Sequence, residues 1–130
     1  MIKIKRLAAV LLTVFMVTVT TVSVKASSSV QGTIGEYTVY GYSYISATNA
    51  YVTTFSSVYN PNISVSVSVT YICIDPMTLE TISFSSSTSG ISSATQSFIA
   101  PDGYRSVSIS CSHSASLGGQ TWSETTNETY

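Results

Sequence analysis

Charged residues are scarce in this sequence of 130 residues, of which Asp, Glu, Lys and Arg make up 8 %. Beyond Lys25 the only basic residue is Arg105, whereas all six acidic residues lie after position 26. Residues 27–130 therefore carry a net charge of −5, one positive against six negative. Because nucleic acids and anionic lipids are bound through clustered Lys and Arg, this composition excludes both as partners of residues 27–130.

Groups that carry out catalysis are equally few. His113 is the only histidine, no lysine follows Lys25, and the serine-hydrolase pattern G-x-S-x-G does not occur. One histidine and two cysteines do not complete a four-ligand zinc site. Cys111 and His113 share one strand face, so a thiol–imidazole pair is an alternative, but the pattern favours a histidine at the edge of the core. We predict a non-enzymatic protein without a catalytic residue, a metal or a cofactor.

The only long hydrophobic run lies at the N-terminus. The apolar stretch "LAAVLLTVFMV" at 7–17 follows the basic start "MIKIKR", and "SVKA" at 23–26 brings small residues to a cleavage point. These features are typical of a secretory signal peptide, which we predict at 1–26 with cleavage before Ser27. An uncleaved anchor is the alternative, since 7–24 is uncharged and long enough to span a bilayer. We expect a secreted, extracellular protein with no integral membrane segment after cleavage.

Serine that alternates with apolar residues is abundant. Residues 27–130 contain 25 serines and 14 threonines, and "NISVSVSVTYICID" at 62–75 shows the alternation most clearly. Because strand side chains point to opposite faces in turn, a period of two predicts a half-buried strand. The predicted core face of 63–73 carries Ile63, Val65, Val67, Val69, Tyr71 and Cys73. That of 106–115 carries Val107, Ile109, Cys111, His113 and Ala115.

The two cysteines are both in phase with the apolar face of their strands. In an exported protein, two inward-facing cysteines with no other thiol present are usually joined. We therefore predict a disulfide between Cys73 and Cys111, which would stabilise the fold by roughly 4 kcal/mol through loop entropy. Two free buried thiols are the alternative.

Seven strands are predicted, near 36–46, 49–59, 63–73, 79–88, 93–100, 106–115 and 119–129. Turn sequences separate them, including "DPMT" at 75–78 and "LGGQ" at 117–120. We predict a single antiparallel β-sandwich domain over 36–130, preceded by a flexible segment over 27–35. An immunoglobulin-like domain is the nearest comparison, but its core tryptophan lies between the cysteines, whereas Trp122 follows both.

Tyrosines at 40, 42 and 44 share one face of the first predicted strand. Tyrosine has an apolar ring and a polar hydroxyl, which suits contact with a glycan or a protein. Tyr40, Tyr42 and Tyr44 are therefore either the core face of this strand or an exposed binding stripe, and Trp122 either joins the stripe or covers the core.

The main hypothesis is a secreted protein that binds an extracellular or cell-surface ligand. A structural or adhesive protein that self-associates through Ser/Thr-rich sheet faces is the rival.

Two stretches, "TTFSSVYNPNISVSVSVT" at 53–70 and "GGQTWSETTNETY" at 118–130, resemble the small secreted β-sandwich bacteriocins of the lactococcin type. The order of signal, Gly/Tyr-rich strand, alternating Ser/Val strand and aromatic C-terminus is similar. The resemblance implies a secreted Gram-positive protein that acts on cell-wall synthesis in competitors. The acidic composition and the two cysteines depart from that pattern, and no functional residue carries over.

Overall fold

The computed structural model describes residues 25–130, which form two four-stranded antiparallel sheets packed as a sandwich. The strands are β1 (Lys25–Ile34), β2 (Tyr37–Ser46), β3 (Asn49–Ser56), β4 (Ser64–Ile74), β5 (Thr81–Ile91), β6 (Ser93–Ile99), β7 (Arg105–Leu117) and β8 (Gln120–Thr129). The first sheet has the order β1-β2-β3-β6 and the second sheet the order β5-β4-β7-β8. The predicted all-β class is confirmed for residues 25–130, which contain eight strands instead of seven. No helix in residues 25–130 is long and apolar enough to cross a membrane.

Tight turns join neighbouring strands where the local sequence supports them. Gly118 and Gly119 have φ values of 54° and 84°, as a type I′ hairpin requires, and they connect β7 to β8 as predicted. Asp75 begins the turn between β4 and β5, where its Oδ1 accepts a hydrogen bond from the Met77 N–H at 2.8 Å. The registers of these two hairpins therefore follow from residues within the turns themselves.

The core lies between the sheets and is built from the alternating strands. The odd-numbered residues of β4 are all buried, as the period of two predicts: Val65, Val67, Val69, Tyr71 and Cys73. Val39, Ile45 and Val52 of the first sheet belong to the same cluster. The Tyr71 hydroxyl lies 2.6 Å from Ser106 Oγ, so this buried polar group has a partner.

A bulge in β7 changes which of its residues face the core. β4 pairs Ile72 with Ser108 but Cys73 with Ser106, which leaves Val107 as the extra residue between them. Ser106 is consequently buried, whereas Val107 is only half-buried. The core position predicted for Val107 is wrong, because one extra residue reverses the phase of a strand. The other core positions predicted in this strand are confirmed, namely Ile109, Cys111, His113 and Ala115.

The N-terminal part of the described chain also differs from the prediction. The sequence predicts a flexible segment over 27–35, but residues 25–34 form β1, which pairs with β2 along its whole length. The alternation is hard to see because Ser28 and Gly32 occupy inward positions of this strand. The predicted signal peptide at 1–26 lies outside the described residues apart from Lys25 and Ala26, where β1 begins.

The predicted disulfide is wrong, because Cys73 and Cys111 are free thiols. Both side chains are buried and face the core, as the alternation predicts. They lie on neighbouring strands, but Cys111 is opposite Val69, four residues along β4 from Cys73. At ~3.3 Å per residue this offset is roughly 13 Å, whereas a disulfide requires Cα atoms closer than ~7 Å.

Candidate binding face

The tyrosines of β2 lie on the outer face of the first sheet. Along β2, residues Val39, Gly41, Ser43 and Ile45 are buried, and the residues between them are half-buried. Tyr40, Tyr42 and Tyr44 therefore point away from the core and are not the core face of this strand, whereas a binding role for them stays a prediction. Large apolar rings on a solvent-facing sheet surface call for an explanation beyond core packing.

The opposite sheet explains why small residues face inward on β2. A Cβ atom on Gly41 would lie 2.4 Å from His113 Cγ, so only glycine leaves room for the imidazole ring of β7. Ser43 also lies on this inner face and is fully buried. Because the second sheet supplies the large side chains here, the aromatic residues of β2 are left for the outer face.

Two further aromatic residues join the tyrosines from β3. The Tyr40 and Phe55 rings are stacked with centroids 5.2 Å apart, and the Tyr42 and Tyr51 centroids are 6.3 Å apart in a tilted arrangement. Tyr44 lies opposite Tyr51 in the register. We call these five residues the aromatic face. Sequence reasoning missed Tyr51 and Phe55, although their spacing of four in "YVTTF" places both on one strand face.

Uncharged polar residues border the aromatic face on both edges of the sheet. On β1, Ser27, Ser29 and Gln31 are opposite the three tyrosines of β2. On the other side the Thr53 and Thr95 hydroxyls lie 3.0 Å apart. Strands β2, β3 and β6 contain no Asp, Glu, Lys or Arg. The surface therefore combines rings for stacking with hydroxyls and an amide for hydrogen bonding, and the one charged residue of its four strands is Lys25 at the start of β1.

Trp122 does not belong to this surface. It lies on β8 in the second sheet, opposite the buried Ala115, and packs half-buried against the core. A Cβ on Gly32 would lie 2.1 Å from Trp122 Nε1. Gly32 of β1 therefore leaves room for the indole ring, as Gly41 of β2 does for the His113 ring. Of the residues predicted for a binding stripe, the structure brings together Tyr40, Tyr42 and Tyr44 and places Trp122 apart.

His113 is buried between the sheets rather than at the edge of the core. Its Nδ1 lies 2.7 Å from Thr54 Oγ1 on β3, and its Nε2 lies 2.9 Å from Thr126 Oγ1 on β8. Burial lowers the pKa of His113 to about 4 and is the largest effect that raises the pKa of Cys111 to about 11. At neutral pH both groups are therefore uncharged, and both imidazole nitrogens are occupied by threonines, so the alternative thiol–imidazole pair is not formed.

The outer face of the second sheet has a different character. It consists mainly of serine and threonine in register across all four strands, for example Ser87, Ser68, Ser112 and Thr125 in one row. We call this surface the hydroxyl face. Several of its hydroxyls bond to each other, such as those of Ser68 and Ser87 at 2.9 Å. A shallow groove of about 510 Å³ runs over its middle, lined chiefly by these small side chains.

Comparison with known proteins adds no relative to this description, since no protein-family model and no curated protein matches the chain. The features of this chain that bear on function are therefore its two outer faces and the chemistry that each presents.

Proposed function

We propose that this protein is a secreted, non-enzymatic binding protein and that the aromatic face binds its ligand. The observation that carries the proposal is the outward orientation of Tyr40, Tyr42 and Tyr44, together with the two aromatic rings of β3. Rings that the core does not use and that remain partly accessible to solvent form a surface able to bury the apolar face of a ligand.

The chemistry of the face favours a neutral polysaccharide over a charged ligand. A sugar ring offers C–H groups on one side for stacking on aromatic rings, and hydroxyls at its rim for hydrogen bonds. The aromatic face supplies rings on its two central strands and hydroxyls on β1 and β6. It presents no charged group on β2, β3 or β6. An extended row of rings also suits a polymer, which contacts several of them in turn.

An extracellular site of action rests on the sequence of residues 1–26 and remains part of the proposal. The resemblance to lactococcin-type bacteriocins is compatible with it, because that resemblance implies a secreted protein that acts on cell-wall synthesis in competitors. The strand order also supports an immunoglobulin-like sandwich, since β3 pairs with β6 and β4 with β7, as strands B with E and C with F do in that fold.

The test is cosedimentation of the purified protein with insoluble polysaccharides, with chitin as the uncharged probe and cell-wall peptidoglycan, whose peptides carry ionised groups, as the second probe. In the variant Tyr42→Thr one ring is lost from the centre of the face, while a threonine keeps high strand propensity. We expect binding about tenfold weaker, which corresponds to ~1.4 kcal/mol. We also expect binding of the unchanged protein to be insensitive to NaCl, because the face carries no charge to be screened.

Tyr59 provides the matched control, because it is 71 % exposed in the loop after β3 and lies off the sheet. Tyr59→Thr removes the same ring and should bind as well as the unchanged protein. Equal binding by Tyr42→Thr and the unchanged protein would overturn the assignment of the aromatic face. Binding that disappears in 1 M NaCl would show adsorption through charges elsewhere on the molecule.

The second candidate is self-association through the hydroxyl face, which would make the protein structural or adhesive. The regular rows of serine and threonine, with a groove over their middle, support this candidate. Its hydroxyls already satisfy one another in part, and serines are well solvated, so the face has less to gain from a ligand than the aromatic face has.

A further inference from the structure

The second sheet has a long free edge at β5. β5 spans eleven residues, Thr81–Ile91, and pairs on one side only, with β4. A strand at the edge of a sheet presents a row of unpaired N–H and C=O groups, which form a template for pairing with another strand. Half of the backbone groups of β5 therefore face outward along about 35 Å of strand at ~3.3 Å per residue.

This edge lacks the devices by which proteins usually protect such strands. Those devices are charged side chains, proline, bulges and very short strands. β5 contains no Asp, Glu, Lys, Arg or Pro, and it pairs with β4 without a shift of register from Thr81 to Ile91. The neighbouring edge strand of the first sheet, β6, is also free of charge, and its Gln96 side chain bonds to Thr88 of β5.

The other side of the sandwich shows the contrast. There the edge strand β8 carries Glu124 and Glu128, whose positions in the register with His113 and Ile109 place them on the inner side of the strand. Inward-pointing charges on an edge strand disfavour pairing with another chain. β1, which packs near β8, begins at Lys25. Strands β5 and β6 themselves carry no charged residue, although Asp75 and Glu80 lie in the turn that precedes β5.

We propose that two copies of this chain pair through β5, antiparallel and about a two-fold axis, to form one continuous eight-stranded sheet. A second copy is the partner that this edge fits, because an antiparallel edge is complementary to itself under two-fold symmetry. Although residues 27–130 carry a net charge of −5, no charge lies on the strands that meet. The proposal does not depend on the ligand of the aromatic face.

The register follows from pairing the whole strand. All eleven residues are paired when Ser86, the middle residue, lies opposite Ser86 of the second copy, and Ser83 then lies opposite Ser89. Such a pair forms about ten backbone hydrogen bonds, roughly one per paired residue. The two hydroxyl faces become one surface eight strands wide, and both aromatic faces remain free.

The experiment is sedimentation velocity of the purified protein over a range of concentrations, with the double variant Ser83→Lys/Ser89→Lys. Both serines are exposed on the outer face, so lysine is tolerated there, but in the dimer each lysine lies opposite a lysine of the other copy. We expect a dimer for the unchanged protein and a monomer for the double variant. The matched control is Ser110→Lys/Ser112→Lys on the central strand β7, which adds the same charge to exposed positions of the same sheet and should remain dimeric.

A cross-linking measurement tests the register. Ser86→Cys should form an intermolecular disulfide under mild oxidation, because the two-fold axis brings residue 86 opposite itself and the native thiols are buried. Ser112→Cys should not, unless the hydroxyl faces stack on each other. A monomer at all concentrations, a dimer that persists in Ser83→Lys/Ser89→Lys, or cross-linking through Ser112→Cys in place of Ser86→Cys would each overturn the proposal. Thermal unfolding of every variant confirms that the fold is retained.

Discussion

Acidification is expected to destabilise this fold through a single side chain, His113. The imidazole ring is fully buried between the sheets and is bonded to Thr54 and Thr126. Protonation would not break these contacts, because both threonine hydroxyls are able to accept as well as donate. The penalty is the burial of a charge, and burial is what lowers the pKa of His113 to about 4.

The sign and the size follow from linkage. In the unfolded chain His113 has a pKa near 6.5, so below that pH the unfolded state binds a proton that the folded state does not. The free energy of unfolding therefore falls as the pH drops from about 6.5 towards 4 and, as far as this group is concerned, is constant below that. A difference of about 2.5 pH units corresponds to a loss of about 3 kcal/mol, with about 1 kcal/mol already lost at pH 5.5.

The assay is urea unfolding between pH 7.5 and pH 5, a window in which ordinary carboxylates stay ionised. Because His113 is the only histidine, the variant His113→Gln removes the effect from the whole chain and should show a nearly flat profile. The groups closest to the ring offer no compensating charge, since Cys111 is a neutral thiol and Glu124, opposite in the register, is exposed.

Two results would refute this reasoning. One is a stability that does not change between pH 7.5 and pH 5 in the unchanged protein, and the other is an equal decline in His113→Gln. If that variant does not fold, proton NMR of the single imidazole gives the same answer. Its resonance should not titrate until the pH approaches 4, and a midpoint near 6.5 in the folded protein would be incompatible with a buried neutral ring.

Two further predictions concern the same interior. Gly41→Ala places a methyl group 2.4 Å from His113 Cγ, so it should lower the free energy of unfolding in urea by about 2 kcal/mol. The loss should be much smaller in a His113→Ala background, where the ring is absent. Equal losses in both backgrounds would show that the ring is not the obstacle. Cys73 and Cys111 should resist alkylation in the folded protein, and both should be alkylated in denaturant without any reductant. Intact-mass measurement shows the number of alkylated thiols. Two thiols that are not alkylated in denaturant would mean that they form a disulfide.

The sequence predicts the strands of this fold better than their arrangement. The period of two identifies the buried face of β4 residue by residue, and the two glycines at 118 and 119 locate a hairpin. Both signals are local, because they depend on side chains within one strand or one turn. The period of two does not reveal β1, because Ser28 and Gly32 occupy inner-face positions where apolar residues would be expected.

What the sequence does not contain is the register between strands that are distant along the chain. The inward phase of Cys73 and Cys111 is readable, but their offset of four residues along the strands depends on how β4 pairs with β7. The bulge at Val107 adds one residue to that pairing and reverses the phase at the start of β7. Two cysteines must lie on the same face and must also be close together along the paired strands to form a disulfide. The alternation in the sequence shows only the first of these conditions.

The outward orientation of the tyrosines in the candidate site also depends on strands that are distant along the chain. Within β2 the small residues Gly41 and Ser43 alternate with tyrosine, and by hydrophobicity alone the aromatic side would be the core. The interior of a sandwich, however, is filled jointly by two sheets. A small inward-facing residue of one sheet therefore leaves no cavity wherever the other sheet supplies a large side chain. His113 fills the space above Gly41, as Trp122 fills that beside Gly32. The aromatic face is therefore exposed because histidine and tryptophan from the second sheet already occupy the interior. The sequence of β2 alone does not show which side chains the second sheet contributes.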